Sequence, residues 1–353
     1  MSKLDKPGLA ARLRAGQTVW AAGAYDAMSA KLAEEAGFEA VMSTGFGISA
    51  SHLGVPDVEL YTMTENLTVV RHMANALQIP LIADADTGYG NAINVMRTVR
   101  EFEQAGVAVM ILEDQEVPKR CPAVAAGVEL LPVVEGSAKI RAAVEARRDP
   151  DTLIIGRTDA ADEADAIERA RAYVAAGADL IQPISKCFKD IHSLRRLREA
   201  CGVPLSLQIL GWLETDLSPA EIEEVAGLAV FPLVALMTAT SALRENLAAL
   251  AAAHGTKDLP RPVTSMGDFK SFIGFAEIEE VAGLAVFPLV ALMTATSALR
   301  ENLAALAAAH GTKGLPRPVT SMGDFKTFIG FAEIEAKQAR FLMAPAPEGI
   351  VKR

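Results

Sequence analysis

Short apolar runs alternate with amphipathic stretches along the first two-thirds of the chain, and the junctions between them repeat. Amphipathic stretches close on a small residue and a glycine, at Ala36-Gly37, Ala105-Gly106, Ala176-Gly177, Cys201-Gly202 and Ala226-Gly227, and an apolar run follows each. A glycine just past a helix adopts the left-handed conformation that closes it, so the phrase reads as a helix end followed by a buried strand. Apolar runs at 19–22, 40–43, 80–83, 107–112, 153–156, 180–183, 204–208 and 228–236 predict eight strands. Helical periodicity between them predicts helices such as 27–36, 65–76, 92–105 and 164–176. Strands that are apolar almost throughout, separated by helices, belong to a parallel sheet covered on both faces. Eight of them predict an α/β fold, a closed (β/α)8 TIM barrel, with a doubly wound open sheet as the other arrangement of the same elements.

The pattern then repeats itself. Residues 220–275 return as 276–331 with two differences, Asp258 against Gly314 and Ser271 against Thr327. AEIE starts a third time at 332–335 and breaks off. Copies in a repeat array diverge, and about three are needed to bury a core. Two nearly unchanged copies read instead as an insertion into a shorter parent. The first copy supplies the eighth strand and a long helix at 241–253; the second offers a spare strand and helix, which a closed barrel cannot admit without changing its shear. The expected organisation is a barrel over 1–275, a duplicate over 276–331 and a tail over 332–353, with the chemistry in 1–219.

Composition narrows the partners. Apolar residues make up 51% of the 353, ample for a large core, and the net charge of −10 argues against nucleic acid or an anionic membrane. Three cysteines, Cys121, Cys187 and Cys201, lack the spacing of a disulfide framework, and the N-terminus lacks the apolar run of a signal peptide. A reducing cytoplasm fits both. The uncharged stretch 225–243 is long enough to span a bilayer. Gly227, Pro232 and the cluster Thr238, Thr240 and Ser241 favour a buried strand running into a helix.

Polar residues gather at the downstream ends of the strands, where barrel enzymes build their active sites. The third strand ends Asp84-Ala85-Asp86-Thr87-Gly88-Tyr89-Gly90-Asn91. Residues two apart on a strand share a face, so Asp84 and Asp86 converge. The fourth strand adds Glu113 and Asp114. Carboxylates gathered without basic neighbours repel, and a divalent cation relieves the repulsion; all-oxygen ligands favour Mg²⁺ or Mn²⁺. The plainer alternative is that these acids cap turns and helices. Arg157, ending the fifth strand, suits a bidentate grip on a substrate carboxylate or a pairing with Asp84, Asp86 or Glu113. After the first strand Tyr25 is a candidate for the pocket, and Asp26 for the cap of the helix from Ala27. Ser43-Thr44-Gly45-Phe46-Gly47 forms a turn whose backbone N–H groups suit an anion. The 115–131 connection is long for its type and reads as a lid carrying Lys119, Arg120, Cys121 and Pro122. Two cations beside Cys121 favour its thiolate, for proton transfer or attack, unless it is a spectator. Cys187 and Cys201 read as structural, and His52 and His72 as surface or packing residues.

Taken in order between about residues 8 and 215, GAYDAMSAKLAEEAGF, LGVPD, ADADTGYGN, LEDQ, PKRC and GRTDA resemble the isocitrate lyase/phosphoenolpyruvate mutase superfamily, and within it the Mg²⁺-dependent, methylisocitrate lyase-like branch. The resemblance implies a (β/α)8 barrel whose eighth helix is exchanged between subunits in a homo-oligomeric dimer of dimers. It also implies Mg²⁺ holding a 2-oxo acid or its enolate. By position it makes Asp84, Asp86 and Glu113 the metal-site acids, with Asp57 nearby. Thr44, Gly45 and Phe46 would lie along the substrate carboxylate, Arg157 at its other end, and Tyr25 and Gln208 in the same pocket. Cys121, with Lys119 beside it, matches the cysteine that exchanges a proton with the departing carbanion in the lyases. The chain departs from the lyases at Pro122-Ala123, where they carry Gly-His after the cysteine. It departs again at Ile184, where tricarboxylate lyases carry a glutamate, and at Gln208, where asparagine is common. Ile184 suggests a smaller or more apolar substrate. The implied reaction is Mg²⁺-dependent cleavage of a C–C bond in a 2-hydroxy di- or tricarboxylate, of the methylisocitrate or dimethylmalate kind, to a 2-oxo acid and a carboxylate. An oxaloacetate-type decarboxylase and a phosphonate mutase or hydrolase are the alternatives within the superfamily. A non-catalytic binding protein, or a relic inactivated by the duplication, is the alternative outside it.

Overall fold

The computed structural model describes residues 6–120, 127–184, 187–276 and 278. Eight parallel strands close into a barrel in chain order: β1 (Val19–Ala24), β2 (Ala40–Ser43), β3 (Leu81–Asp84), β4 (Val109–Glu113), β5 (Leu153–Thr158), β6 (Leu180–Pro183), β7 (Leu205–Gln208) and β8 (Ala226–Phe231). Helix α1 (Lys6–Arg14) precedes β1; α2 (Ala27–Glu35), a short α3 (Gly45–Ile48) and α4 (Met63–Ala76) follow the first two strands. The next helices are α5 (Ala92–Ala105), α6 (Val133–Ala146), α7 (Glu163–Ala175) and α8 (Ile191–Cys201). A short α9 (Trp212–Thr215), α10 (Pro219–Val225), α11 (Val234–Ala253) and α12 (Met266–Phe272) complete the set.

Local sequence explains the joints. Asn91 caps α5 by accepting hydrogen bonds from the N–H groups of Ile93 and Asn94, and Gly106 closes it at φ 103°. The apolar stripe of α5, including Val95, Val99 and Phe102, is buried in the outer layer. Strand alternation then fixes the interior. Val19, Ala21, Ala40, Met42, Ile82, Val109, Ile111, Leu153, Ile155, Leu180, Leu228 and Val230 pack into one core inside the barrel. Two residues beyond Ile82, Ile111, Ile155 and Leu180, on the same inward parity, stand Asp84, Glu113, Arg157 and Gln182. The barrel thus changes from apolar filling to polar side chains at the C-terminal end of its strands.

Two predicted boundaries are corrected at the eighth strand. It runs from Ala226 to Phe231 instead of 228–236, Pro232 follows it, and α11 begins at Val234 instead of 241. A helix does end at Ala226-Gly227, since α10 stops at Val225 with Ala226 as its C-cap, but Gly227 lies within β8 and does not take the left-handed closing conformation. A Cβ on Gly227 would come within 2.8 Å of the Pro204 side chain, so close packing of β7 against β8 is what glycine permits there. The uncharged stretch 225–243 is accounted for by β8 and the start of α11, and no described helix is long and apolar enough to cross a membrane.

The chain divides into two compact units, with the barrel unit ending at Thr240 and a second unit beginning at Ser241. The barrel unit carries the buried core just described. In the second, α12 contains no buried residue, Leu243, Leu247, Met266 and Phe269 are exposed, and Arg261 pairs with Glu245 at 2.7 Å. The duplicate beyond residue 278, the tail and Cys121 lie outside the described residues.

Candidate active site

At the barrel mouth β3, β4 and β5 bring Asp84, Glu113 and Arg157 together. Arg157 Nη1 lies 2.8 Å from Glu113 Oε2, and its Nη2 donates to Asp159 Oδ1 at 2.9 Å. Lys119, from the β4–α6 connection, sends its ammonium into the acids. It contacts Asp86, lies 3.1 Å from Asp57 Oδ1 and stands 3.7 Å from Glu113 Oε1. Asp84, Asp86, Glu113 and Lys119 are all buried.

Asp86 arrives by a different route from the one the spacing predicts. β3 stops at Asp84, and Asp86 takes a left-handed φ of 50° in the following turn. Its carboxylate accepts from the Tyr89 hydroxyl at 2.8 Å, and its N–H donates to Asp84 Oδ1 at 3.1 Å. Asn66 supports the turn by donating to the Asp84 carbonyl at 2.9 Å and to the Tyr89 hydroxyl at 2.6 Å. Glu59, Asp86 and Tyr89 are three of the four described non-glycine residues with positive φ. Such strain costs on the order of 1–3 kcal/mol per residue and gathers at functional sites. Thr87 joins Glu59 to the same cluster, donating to its Oε1 at 3.0 Å.

The electrostatics show what the cluster requires. Burial, and then the neighbouring Asp86, push the Asp84 carboxyl up to about 6. Burial raises Glu113 to about 8 against the opposing pull of Arg157 and Lys119, and raises Glu59 to about 7 with help from Asp86. Burial pulls the Lys119 ammonium down, but Asp86, Glu113, Asp84 and Asp57 hold it above the ordinary lysine range. Among the described residues, Asp57, Asp86, Glu113 and Asp159 form ion pairs with Lys119 and Arg157, and both cations act on Asp84, so the acids outnumber the cations paired with them.

This donor set fits a hard divalent cation. Neither Glu113 oxygen accepts a hydrogen bond among the described residues, and neither does Asp57 Oδ1. Oxygens crowd Gly45 so closely that a Cβ there would lie 2.7 Å from the Tyr61 hydroxyl and 2.9 Å from Asp84 Oδ2. Among the described residues no three acidic, histidine or cysteine side chains stand ready as direct ligands, so the fit is to an ion that keeps part of its water.

The other predicted residues divide. Thr44 caps α3 by accepting from Gly47 N–H, and Gly45 N–H donates to Asp84 Oδ2 at 3.2 Å. Those N–H groups are committed within the protein, so the turn is not the open anion cradle that its glycines predict; Phe46 is half-buried beside it. Asp26 does cap α2. Tyr25 lines a surface cavity with His52 and His72 and packs against Gly47. Gln208 donates to Gln182 Oε1 at 3.0 Å, and its own Oε1 is buried without a partner among the described residues. Lys119 is committed to the acids and Arg120 stands 3.8 Å from Glu129, while Cys121, whose thiolate they were expected to favour, lies outside the described residues. The 115–131 connection is pinned at both ends, by a Gln115–Leu130 bridge and by Leu131 N–H donating to the Asp114 carbonyl at 2.8 Å. Sequence reasoning missed Asp159, Gln182, Tyr61 and Glu59; inward parity on β6 was a signal for Gln182 alone.

The chain matches the phosphoenolpyruvate phosphomutase family over residues 9–255. It is 41% identical over 268 residues to a 2,3-dimethylmalate lyase from Eubacterium barkeri, covering 74% of this chain and 92% of that one. It is 39% identical over 239 residues to an oxaloacetate decarboxylase from Rhodopseudomonas palustris (strain BisB18), covering 65% and 80%. A phosphonopyruvate hydrolase solved with oxalate and Mg²⁺ superposes with a TM-score of 0.71 at 32% identity, covering 80% of this chain and 99% of that one.

Proposed function

The chain belongs to the phosphoenolpyruvate phosphomutase family and is a carbon–carbon lyase of the isocitrate lyase/phosphoenolpyruvate mutase superfamily; on that premise we propose that it cleaves a 2-hydroxy di- or tricarboxylate, with Mg²⁺, into a 2-oxo acid and a second carboxylate. One observation carries the reading: a buried cluster with excess carboxylate, its Glu113 oxygens ion-paired but accepting no hydrogen bond among the described residues, faces an arginine whose Nε–H is also buried and unpartnered among them. Asp84, Asp86 and Glu113 would hold the cation, partly through water, with Asp57 beside them. When bound, Mg²⁺ supplies positive charge where the 2-oxo fragment becomes negative. Arg157 offers its unpartnered Nε–H to a substrate carboxylate, and Gln208 offers its free carbonyl oxygen to the substrate hydroxyl. Cleavage passes the proton of that hydroxyl to a carboxylate of the acid cluster, turns its carbon into the 2-oxo carbon, and passes the electron pair of the C–C bond to the departing α-carbon. Cys121, by its match to the lyase cysteine, returns a proton to that carbon.

The test is a screen of 2-hydroxy and 2-oxo di- and tricarboxylates, read by 2-oxo acid release with and without EDTA. Turnover is expected to vanish with EDTA and return with Mg²⁺; turnover indifferent to chelation overturns the mechanism. The second reading, an oxaloacetate-type decarboxylase, is favoured by the relative of that name and by Pro122-Ala123 after Cys121. Cys121→Ser separates the two. A lyase that needs the thiol as its general acid loses about 10²–10⁴-fold in rate, whereas a decarboxylase keeps its turnover. Turnover restored only on deleting 276–331 would show that the duplication had inactivated the enzyme.

A further inference from the structure

Gln115, beyond the end of β4, is buried and has both ends of its amide engaged. Its Oε1 accepts from the backbone N–H of Arg120 at 2.9 Å, and its Nε2 donates to Asp159 Oδ2 at 3.0 Å. The orientation is unambiguous, because a backbone N–H only donates and a carboxylate only accepts. The other Asp159 oxygen, Oδ1, accepts from Arg157 Nη2 at 2.9 Å. Glu113 holds Arg157 from the opposite side at 2.8 Å. The guanidinium plane is therefore fixed at both terminal nitrogens, with Nε–H left unpartnered among the described residues. Gln115 thus joins the backbone beside Lys119 to the carboxylate that orients Arg157.

We propose that Gln115 is a positioning residue: its amide holds Asp159, and through it Arg157, in register with the 115–120 segment, so that the arginine meets an incoming carboxylate with Nε–H aimed at it. This rests on the reading of Arg157 as the substrate-anion group. Without the Gln115 donor, the Asp159 carboxylate is held by Arg157 alone, and the guanidinium loses the fixed anchor behind one of the two contacts that define its plane.

Oxalate, a planar dicarboxylate, is the probe, and its Kd is measured by calorimetry in saturating Mg²⁺. Gln115→Glu keeps an acceptor for Arg120 N–H but sets a carboxylate against Asp159; it should weaken oxalate by about tenfold or more. Asp159→Asn alone also weakens binding. The double variant Q115E/D159N reverses the polarity of the contact: the new amide donates to the new carboxylate, and its carbonyl oxygen still accepts from Arg157. It restores the original net charge and should bind within about threefold of wild type. Gln115→Met, nearly isosteric and uncharged, gives a lesser loss and serves if Gln115→Glu does not fold. A role limited to stability would leave the oxalate Kd of the folded single variants unchanged. Affinity within twofold of wild type in Gln115→Glu, or a double variant no better than Asp159→Asn, overturns the proposal. Failure of the wild type to bind oxalate with Mg²⁺ overturns instead the reading of the site on which it rests.

Discussion

On one side of the barrel mouth β3, β4 and β5 present Asp84, Glu113 and Arg157; on the other, β6 and β7 present Gln182 and Gln208. Both sets sit at the C-terminal ends of their strands, yet their physics differs. The first is charged, strained at Asp86 and short of positive charge, with its carboxyls pushed up to about 6 and about 8. The second is neutral: Gln182 Oε1 accepts from Ser206 at 3.1 Å and from Gln208 at 3.0 Å, and one carbonyl oxygen is left over. A half short of positive charge is suited to taking up a cation and developing charge, and a half already paired is suited to selecting what enters. Stability and metal binding should therefore be coupled on the first side and uncoupled on the second.

The largest expected break comes from Lys119→Met. The substitution removes the cation touching Asp86 and Asp57 and leaves a buried and a partly buried carboxylate without it. Breaking a buried pair from one side costs about 3–5 kcal/mol. Thermal melts without metal should show that loss. Mg²⁺ should then stabilise the variant more than the wild type, because any ligand that binds only the folded state adds stability with concentration. Equal Mg²⁺ shifts in the two proteins would mean that Lys119 and the ion do not answer the same excess of charge.

A smaller effect follows from pH in the metal-free protein. Glu113 and Asp84 have folded values raised to about 8 and about 6, above those of ordinary carboxylates. Between the unfolded and folded values the native state binds more protons, so stability falls as pH rises. The contribution is fully present below the ordinary carboxylate range and lost by about pH 8. Denaturant midpoints taken along that range should decline without Mg²⁺ and flatten with it. A rising profile would contradict the assigned burial.

What the sequence made legible on each side follows from how far local rules reach. Apolar runs between helical periods predict the barrel, and alternation alone sends Asp84, Glu113 and Arg157 inward. The same alternation reaches Gln182, a residue easily passed over because an amide carries no charge to attract attention. Asp86 lies beyond that rule: it converges through a left-handed turn braced by Tyr89 and Asn66, not along the strand. Lys119 was placed beside Cys121 by proximity in sequence, whereas a long side chain in a connection goes where the field draws it. The end of β8 was missed for a simpler reason. Residues 228–236 form one apolar run without a period, and Pro232 inside it marks the true stop.

The smallest perturbation should be Gln208→Leu, on the neutral side. Gln182 Oε1 keeps the Ser206 hydroxyl as a partner, and the buried orphan oxygen disappears together with the donor that Gln182 loses. The net change in stability should stay within about 1 kcal/mol, the typical worth of one neutral hydrogen bond. If Gln208 receives the substrate hydroxyl, KM for a 2-hydroxy acid should rise about tenfold, the same energy expressed as binding. Oxalate has no hydroxyl, so its affinity in Mg²⁺ should not change. That pairing of results would show that the amide half selects the substrate while the charged half binds its carboxylate. An equal loss for oxalate would show instead that Gln208 supports the charged half, and that the two sides of the mouth act as one.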